Sequence, residues 1–197
     1  MVLGLCGGKG TYSMSAGKCD CGNMVYVGGI DLETLSRPNA QGNMPANDGS
    51  SVGLLEIAGG SFRARKSLHV GDLGKGTVHV SGSGSLTVDM NLVLSNSVAE
   101  ASLLKLTVAG DTPPSVSVAG SLIVSEGAKL EVDVSDFATT NVWTKLVSCS
   151  SRNGDFAAED VKVVGGGVRG SLVFDRASDG TGSIWWYRPR GTTVVLR

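Results

Sequence analysis

The chain has 197 residues and 29 of them are glycine, about twice the usual share of roughly 7%. Its 17 Lys and Arg nearly balance its 18 Asp and Glu, which excludes the basic footprint of a general nucleic-acid binder, and no apolar run approaches the ~20 residues of a membrane-spanning helix. Collagen is excluded because the glycines lack a three-residue period, and an aromatic content of only 5% leaves an aliphatic, β-branched chain that favours strands and tight turns.

The first predicted strand contains Val2, Leu3 and Leu5, and we expect it to be the last strand of a turn whose beginning is absent. No basic region precedes it, and its apolar stretch is shorter than the roughly 7 to 15 residues of a signal-peptide core. If the protein is exported, its signal is expected to have been removed or to lie outside this chain.

The chain contains four cysteines, Cys6, Cys19, Cys21 and Cys149. We do not expect them to form the disulfide framework of a small secreted domain. Cys19-Asp20-Cys21 places two thiols on one face of a predicted strand, an arrangement that suits a metal ion or a redox pair. No second Cys or His pair at ligand spacing accompanies them, so we predict no zinc site and no cofactor. Buried thiols, or one bridge from Cys6 to the nearby pair, are the favoured interpretations.

Alternating apolar residues also precede residue 60, and Val25-Tyr26-Val27-Gly28 matches the later Leu68-His69-Val70-Gly71. The residues that carry this alternation are Tyr12, Met14, Val25, Val27, Leu55 and Ile57. A polar segment from Arg37 to Ser51, with prolines at 38 and 45, interrupts the pattern. We interpret it as a loop inserted at one corner of the fold.

The middle of the chain repeats a triplet of short alternating segments. The segments begin at Phe62, Leu68 and Val78, then at Leu86, Leu92 and Leu106, and then at Val116, Leu122 and Leu130. Within each triplet the first two segments start six residues apart, whereas the second spacing is 10, 14 and then 8 residues. Insertions at a single corner are typical of repeat proteins whose turns stack on each other.

We therefore predict an all-β fold, a right-handed parallel β-helix with three short strands per turn, over residues 1–134 with an inserted loop at about 37–51. Each turn would bury its inner face by stacking on its neighbours at the strand spacing of ~4.8 Å. The predicted inner residues are Phe62, Ala64, Leu68, Val70, Val78, Val80, Leu86, Val88, Leu92, Leu94, Leu106, Val108, Val116, Val118, Leu122, Val124, Leu130 and Val132.

After Val134 the six-residue corner is lost, and all three tryptophans occur in this part of the chain. Asp179-Gly180, between Phe174 and Ile184, predicts an antiparallel hairpin with a long loop. Residues 135–197 are expected to continue the β-helix and to form a C-terminal β cap over its open end. The predicted strands are Val142–Val147, Val161–Val164, Leu172–Phe174, Ile184–Tyr187 and Thr192–Leu196.

The run GGSFRARKSLHVGDLGKGTVHVSGSGSLTV, from Gly59 to Val88, resembles repeats in autotransporter passengers and in large secreted, adhesin-like bacterial surface proteins. KLVSCSSRNGDFAAEDVKV and the later GSIWWY resemble the strand-rich ends of such proteins. The resemblance implies a structural or adhesive role outside the bacterial cell or at its surface. It transfers no catalytic residue.

Polysaccharide lyases and hydrolases built on β-helices are the alternative, because their sites lie on the outer face of a stacked sheet. The aligned outward neighbours in this chain are Arg63 with Thr87 and Ser117, Arg65 with Asp89, His69 with Val93 and Ile123, and His79 with Thr107 and Glu131. No sheet in this alignment brings several carboxylates together with a base, and glycosidases need a positioned carboxylate pair. We therefore predict that the protein is not an enzyme.

Trp185-Trp186-Tyr187 contains alternating aromatic residues, so Trp185 and Tyr187 would share one face of a strand and Ile184 and Trp186 the other. Trp185 and Tyr187 are candidate contacts for surface glycans. The favoured interpretation is that Ile184 and Trp186 plug the core while Trp185 and Tyr187 pack beneath a loop.

Strands at the two ends are candidate assembly sites, because a stack of strands exposes unpaired backbone groups at each end. The candidate residues are Val2, Leu3 and Leu5 at one end and Val194, Val195 and Leu196 at the other. Pairing of one molecule's last strand with the next molecule's first strand would build a head-to-tail oligomer or filament. Pairing of each terminal strand within its own molecule is the alternative and is slightly favoured.

Overall fold

A computed structural model describes residues 1–5, 7–29, 50–96, 102–110, 113–138, 143–165, 170–175 and 182–189. In these ranges the only helical segment is the 3₁₀ turn Ala158–Asp160, so no helix there has the length to cross a membrane. The strands are, in chain order, β1 (Val2–Leu3), β2 (Lys9–Met14), β3 (Lys18–Cys21), β4 (Val25–Val27), β5 (Ser51–Ile57), β6 (Ser61–Ala64), β7 (Leu68–Val70), β8 (Gly74–Ser81), β9 (Ser85–Val88), β10 (Leu92–Leu94), β11 (Ser102–Gly110), β12 (Ser115–Val124), β13 (Lys129–Phe137), β14 (Trp143–Asn153), β15 (Val161–Val164), β16 (Ser171–Phe174) and β17 (Ile184–Tyr187).

The strands form two curled sheets that share one core. The six-stranded sheet has the order β15-β13-β11-β8-β5-β2, and all of its pairings are parallel. The eleven-stranded sheet contains two rows of short parallel strands, β1-β4-β7-β10 and β3-β6-β9, which both end on β12. β14 then pairs parallel with β12, and β17 and β16 extend the sheet with antiparallel pairings.

The predicted right-handed parallel β-helix with three strands per turn is wrong, because two of its three sheets are one sheet. The sequence predicted a corner between two strands at Val118 and Leu122. The structure has one continuous strand, β12, over these residues. The first half of β12 pairs with β9 and the second half with β10, which joins the two rows. The small Ala119-Gly120-Ser121 segment allows the strand to bend at an irregularity in its pairing with β14, and the Gly120 amide still donates to the Met90 carbonyl at 2.9 Å.

The core lies between the inner faces of the two sheets. All eighteen residues predicted to point inward are buried, and Leu92 and Val124, which test the alternation most directly, are only 0% and 6% exposed. The prediction of these faces is confirmed because side chains alternate strictly between the two faces of a strand.

The predicted register of β11 is wrong by two residues. Alignment of the chain's own repeated segments placed Leu106 opposite Val78 and Leu130. The structure instead pairs Leu104 with both of these residues and Leu106 with Val80. A shift of two residues leaves the same side chains facing the core, so burial is unchanged while every outward neighbour changes.

The last described strands lie in the region predicted to continue the β-helix and to form a C-terminal β cap, and they extend the two sheets. β15 joins the six-stranded sheet, and the antiparallel pair of β16 and β17 places Phe174 opposite Ile184, the pairing expected for the predicted hairpin. Asp179-Gly180, the predicted strand 192–196 and residues 37–49 of the predicted insertion lie outside the described residues. Ser51, the last residue of that predicted loop, is buried and begins β5.

Candidate functional site

Three aromatic side chains and one lysine lie together on the outer face of the larger sheet, and we call Trp143, Lys145, Trp185 and Tyr187 the aromatic patch. The antiparallel pairing of β14 and β17 places Trp143 opposite Tyr187 and Lys145 opposite Trp185. Alternation along β17 leaves Trp185 and Tyr187 partly exposed. Residues from two strands about forty positions apart in the chain therefore form one surface.

The rings of the aromatic patch contact one another at defined angles. The Trp143 and Tyr187 centroids are 4.5 Å apart with an interplanar angle of 37°, and those of Trp143 and Trp185 are 6.4 Å apart at 88°. The Lys145 ammonium lies 4.6 Å from the centroid of Trp185, which is a cation–π distance. The patch thus presents flat apolar rings beside a positive charge.

A cavity of about 230 Å³ adjoins the aromatic patch at Lys145. Pro113, Pro114 and Ser148 contribute to its lining together with Lys145. Lys145 belongs to both the cavity and the patch, so the two form a continuous surface with apolar, hydroxyl and cationic groups.

The other face of β17 is part of the core, as the favoured interpretation of these aromatics predicted. Ile184 and Trp186 are 0% and 1% exposed. Trp185 and Tyr187 pack beside Trp143. Trp143 was missing from the sequence prediction because nothing local to it indicated that β14 would pair with β17.

A second group of polar residues crosses the outer face of the six-stranded sheet, and we call it the polar row. Direct pairing places one residue from each strand next to its neighbour in the order Ser13, Glu56, His79, Lys105, Glu131 and Lys162. Glu56, His79, Lys105 and Glu131 each stand between two buried residues of their own strands. The row therefore marks the solvent side of every strand of this sheet.

The charges of the polar row are paired. The Glu131 carboxylate lies 2.9 Å from the ammonium groups of both Lys105 and Lys162, and these two hydrogen bonds lower the pKa of Glu131. At the other end of the row, the Ser13 hydroxyl donates to the Glu56 carboxylate at 3.0 Å. Lys105, Glu131 and Lys162 alternate in charge across three neighbouring strands, which stabilises their pairing.

His79 lies in the middle of the row and contacts a carboxylate and a hydroxyl. Its Nδ1 is 3.6 Å from Glu56 Oε1, and its Nε2 is 3.0 Å from Thr107 Oγ1. Burial, followed by the nearby Lys105 charge, lowers the pKa of His79 although Glu56 opposes the shift. The neutral imidazole that results at neutral pH can accept the Thr107 hydroxyl proton, but a separation of 3.6 Å is too long for Glu56 to fix its orientation by a hydrogen bond.

The sequence prediction missed this cluster of acidic and basic side chains. It placed His79 beside Thr107 and Glu131, whereas the structure pairs His79 with Lys105 and Lys105 with Glu131. The two-residue error in β11 removed Lys105 from the row. A recurring tripeptide, a polar residue between two aliphatic ones, is the signal that would have found it: Leu55-Glu56-Ile57, Val78-His79-Val80, Leu104-Lys105-Leu106, Leu130-Glu131-Val132 and Val161-Lys162-Val163.

The predicted ion pair of Arg65 with Asp89 is also wrong. Arg63 binds Asp89 through bonds of 2.8 to 3.1 Å, and Arg65 binds Asp20 at 2.7 and 2.8 Å. Both guanidinium groups reach diagonally across strands, which long side chains can do. The four side chains are substantially exposed to solvent, and such pairs add little stability.

The remaining predicted sites are described in part. Val2 and Leu3 form β1, which pairs with β4, and Leu5 follows it with a largely exposed side chain. Val194, Val195 and Leu196 lie outside the described residues. Among the described cysteines, Cys19, Cys21 and Cys149 are free thiols, and this part of the chain holds no group of three or more His, Cys, Asp or Glu arranged for a metal ion.

No protein-family model matches this chain, and no similar curated protein or solved structure was found. Its function is therefore inferred from the aromatic patch, the polar row and the edges of the two sheets.

Proposed function

We propose that this protein is a structural or adhesive element at the surface of a bacterial cell or outside it, and that it binds surface glycans through the aromatic patch. The observation that carries the proposal is the outward cluster of Trp143, Trp185 and Tyr187 beside Lys145. The resemblance of Gly59–Val88 to adhesin-like repeats supports the bacterial surface as its place of action.

The chemistry of the aromatic patch suits a saccharide. Aromatic side chains offer a large apolar surface, and the rings of Trp185 and Tyr187 are partly exposed. Sugar rings have one apolar C–H face that can lie on such a surface, and acidic sugars add a carboxylate or sulfate. Lys145 would then pair with that anion, so acidic glycans are the expected ligands.

Self-association is the second part of the proposal, and it makes the protein a structural element. Among the described strands, β2 and β15 lie at opposite edges of a fully parallel sheet, so β15 of one molecule can pair with β2 of the next in the same direction. Beside β15, an open cavity of about 540 Å³ is lined by apolar groups that include Phe156, Val163 and Phe174. Head-to-tail contact would remove this apolar surface from water.

A polysaccharide-acting enzyme is the second candidate function. The observation that favours it is His79, whose Nε2 lies 3.0 Å from the Thr107 hydroxyl and whose Nδ1 lies 3.6 Å from Glu56. Turnover of an acidic polysaccharide that is lost in His79→Gln but retained in His69→Gln would establish this function. A broad screen without turnover would eliminate it.

The glycan proposal is tested by replacing Trp185 with alanine and measuring binding of the purified protein to an array of acidic and neutral glycans. Loss of the Trp185 ring removes a stacking surface, and we expect binding to weaken about tenfold, the equivalent of roughly 1.4 kcal/mol. Lys145→Ala should weaken binding of acidic glycans selectively and reduce its dependence on salt.

Lys66→Ala is the matched control for Lys145→Ala, because Lys66 is exposed on another part of the surface. We expect it to bind glycans as the unaltered protein does. Equal binding by the unaltered protein and Trp185→Ala, or no binding to any glycan on the array, would contradict the proposal.

A further inference from the structure

Several sulfur-containing side chains lie at one end of the core, next to strand β3. Cys19 pairs with Phe62 and Cys21 with Ala64, so both thiols point toward the interior, where Phe62 and Ala64 are fully buried. Among the described strands, β3 pairs only with β6, and its two thiols remain partly accessible. At the equivalent positions, the neighbouring strands β6 and β9 have buried aliphatic or aromatic residues.

A thioether and a phenol lie near the two thiols. The Cys21 thiol donates to Met1 Sδ at 3.8 Å, and the Tyr12 ring centroid lies 5.9 Å from that of Phe62, the residue paired with Cys19. The Met1 backbone is held in place because its carbonyl accepts from the Tyr26 amide at 2.9 Å. We call Met1, Cys19 and Cys21 the sulfur cluster.

We propose that the sulfur cluster binds one soft monovalent metal ion, Cu(I) or its analogue Ag(I), through the Cys19 and Cys21 thiolates and the Met1 thioether. Thiolate and thioether groups are the ligands that select Cu(I) in proteins. Binding releases the two thiol protons to solvent. The bound ion carries one positive charge, and each of its two thiolate ligands carries one negative charge. No electron is transferred, so the step requires no oxidant.

The geometry favours a bound metal over a disulfide between the two cysteines. Residues two apart in a strand have Cα atoms about 6.4 to 6.8 Å apart, which is at the upper limit for a disulfide. A metal with bonds to sulfur of about 2.3 Å accepts sulfur atoms up to roughly 4.6 Å apart. Thiols on the same face of a strand can meet this condition without moving the backbone.

The donor set also argues against zinc. Zn²⁺ takes four ligands from Cys, His and carboxylate groups in structural sites. Asp20, between the two cysteines, points to the opposite face of β3 and is bound to Arg65 at 2.7 and 2.8 Å. The described neighbourhood of the thiols offers sulfur and a phenol, which suits a soft ion of low coordination number.

The test is an anaerobic titration of the reduced full chain with Cu(I) in the presence of a chromogenic Cu(I) chelator as competitor. We expect the protein to retain one equivalent of Cu(I), with X-ray absorption showing three sulfur neighbours. The double variant Cys19→Ser, Cys21→Ser should lose this equivalent, and circular dichroism will show whether its β-structure is intact. Ag(I) titration followed by mass spectrometry of the native protein provides an independent stoichiometry.

Cys149→Ser is the matched control, because it removes one thiol, bound to the Gly182 carbonyl, and leaves the sulfur cluster complete. It should retain the equivalent of Cu(I). Equal retention by the folded double variant, loss in the control, or transfer of all Cu(I) from the unaltered protein to the chelator would overturn the proposal. Two sulfur neighbours instead of three would remove Met1 from the ligand set and overturn that part of it.

Discussion

At the scale of single residues, Glu131 connects three strands of the six-stranded sheet. Its carboxylate lies 2.9 Å from Lys105 on β11 and 2.9 Å from Lys162 on β15, and its side chain is 16% exposed. The two ammonium groups hold the pKa of Glu131 below its usual range, which means that the folded state favours the charged carboxylate.

Replacing Glu131 with glutamine should therefore lower the free energy of unfolding by on the order of 1 kcal/mol, since it removes two partly exposed ion pairs. The loss should shrink as salt is added because ions screen such pairs. Chemical denaturation at low and high salt measures both effects. Glu126→Gln, at an exposed turn, is the control and should change stability little; an equal loss in both variants would exclude a specific role for the Glu131 pairs.

The histidines give stability a pH dependence of known sign. Burial lowers the pKa of both His69 and His79 in the folded state, so the unfolded chain takes up protons first as the pH falls. The contribution of the two neutral histidines to the free energy of unfolding should be fully present above about pH 7. It should decrease as the pH falls through 6.5 toward the lowered folded-state pKa values. Thermal unfolding between pH 5 and 8 measures the slope.

His79→Gln should reduce this slope because glutamine does not titrate. The carboxylates add a separate loss at lower pH: hydrogen bonds to Lys105 and Arg65 lower the pKa of Glu131 and Asp20, and their contribution disappears as the pH falls through those lowered values. A slope between pH 5 and 7 that is identical in His79→Gln would show that His79 is not one of its sources.

At the scale of elements, glycines allow the backbones of β4, β5 and β8 to approach one another closely. Gly53 and Gly76 are paired neighbours on β5 and β8. A Cβ atom added to Gly76 would overlap the Val27 carbonyl oxygen and the Gly71 amide nitrogen. The backbone on both sides of this contact is fixed by strand pairing, so it has little freedom to move.

Gly76→Ala should consequently destabilise the protein by about 1 to 3 kcal/mol, the range for an overpacked interior. Gly22→Ala is the matched control, because a Cβ atom added to Gly22 meets nothing within 4 Å and the residue does not have a positive φ. Thermal unfolding compares the two variants. Similar stabilities would mean that the three strands can separate without cost.

At the scale of the whole molecule, the edges of the six-stranded sheet bear on the proposed self-association. Val163 on β15 is 45% exposed although its partner in β13, Val132, is fully buried. An inward-facing position that remains exposed is expected where the stack of strands ends among the described residues.

Val163→Lys should therefore prevent head-to-tail association, because contact would bury an unpaired charge. Sedimentation and electron microscopy over a range of concentrations compare this variant with the unaltered protein, which we expect to associate. Met90→Lys places the same charge at a residue that is 48% exposed elsewhere and should associate normally. A monomer at every concentration of the unaltered protein would contradict the proposal.

Local alternation was sufficient to identify the core. Whether a side chain such as Leu92 or Val124 points inward depends only on its position along its own strand, and strands have a period of two. The burial of Ile184 and Trp186 was predictable for the same reason. The two outward aromatics of β17 were also identified, because the same alternation separates Trp185 and Tyr187 from the core.

The number of sheets, the pairing register and the neighbours on the outer surface were decided by the tertiary structure. The small residues around Gly120 are compatible either with a corner or with a continuous bent strand. The chain forms the bent strand because β12 pairs with both β9 and β10. A two-residue shift of β11 preserves the hydrophobic pattern, so the alternation in the sequence could not place Lys105 between His79 and Glu131. Trp143 beside Tyr187, and Met1 beside Cys21, likewise depend on contacts between distant segments, which a local pattern does not encode.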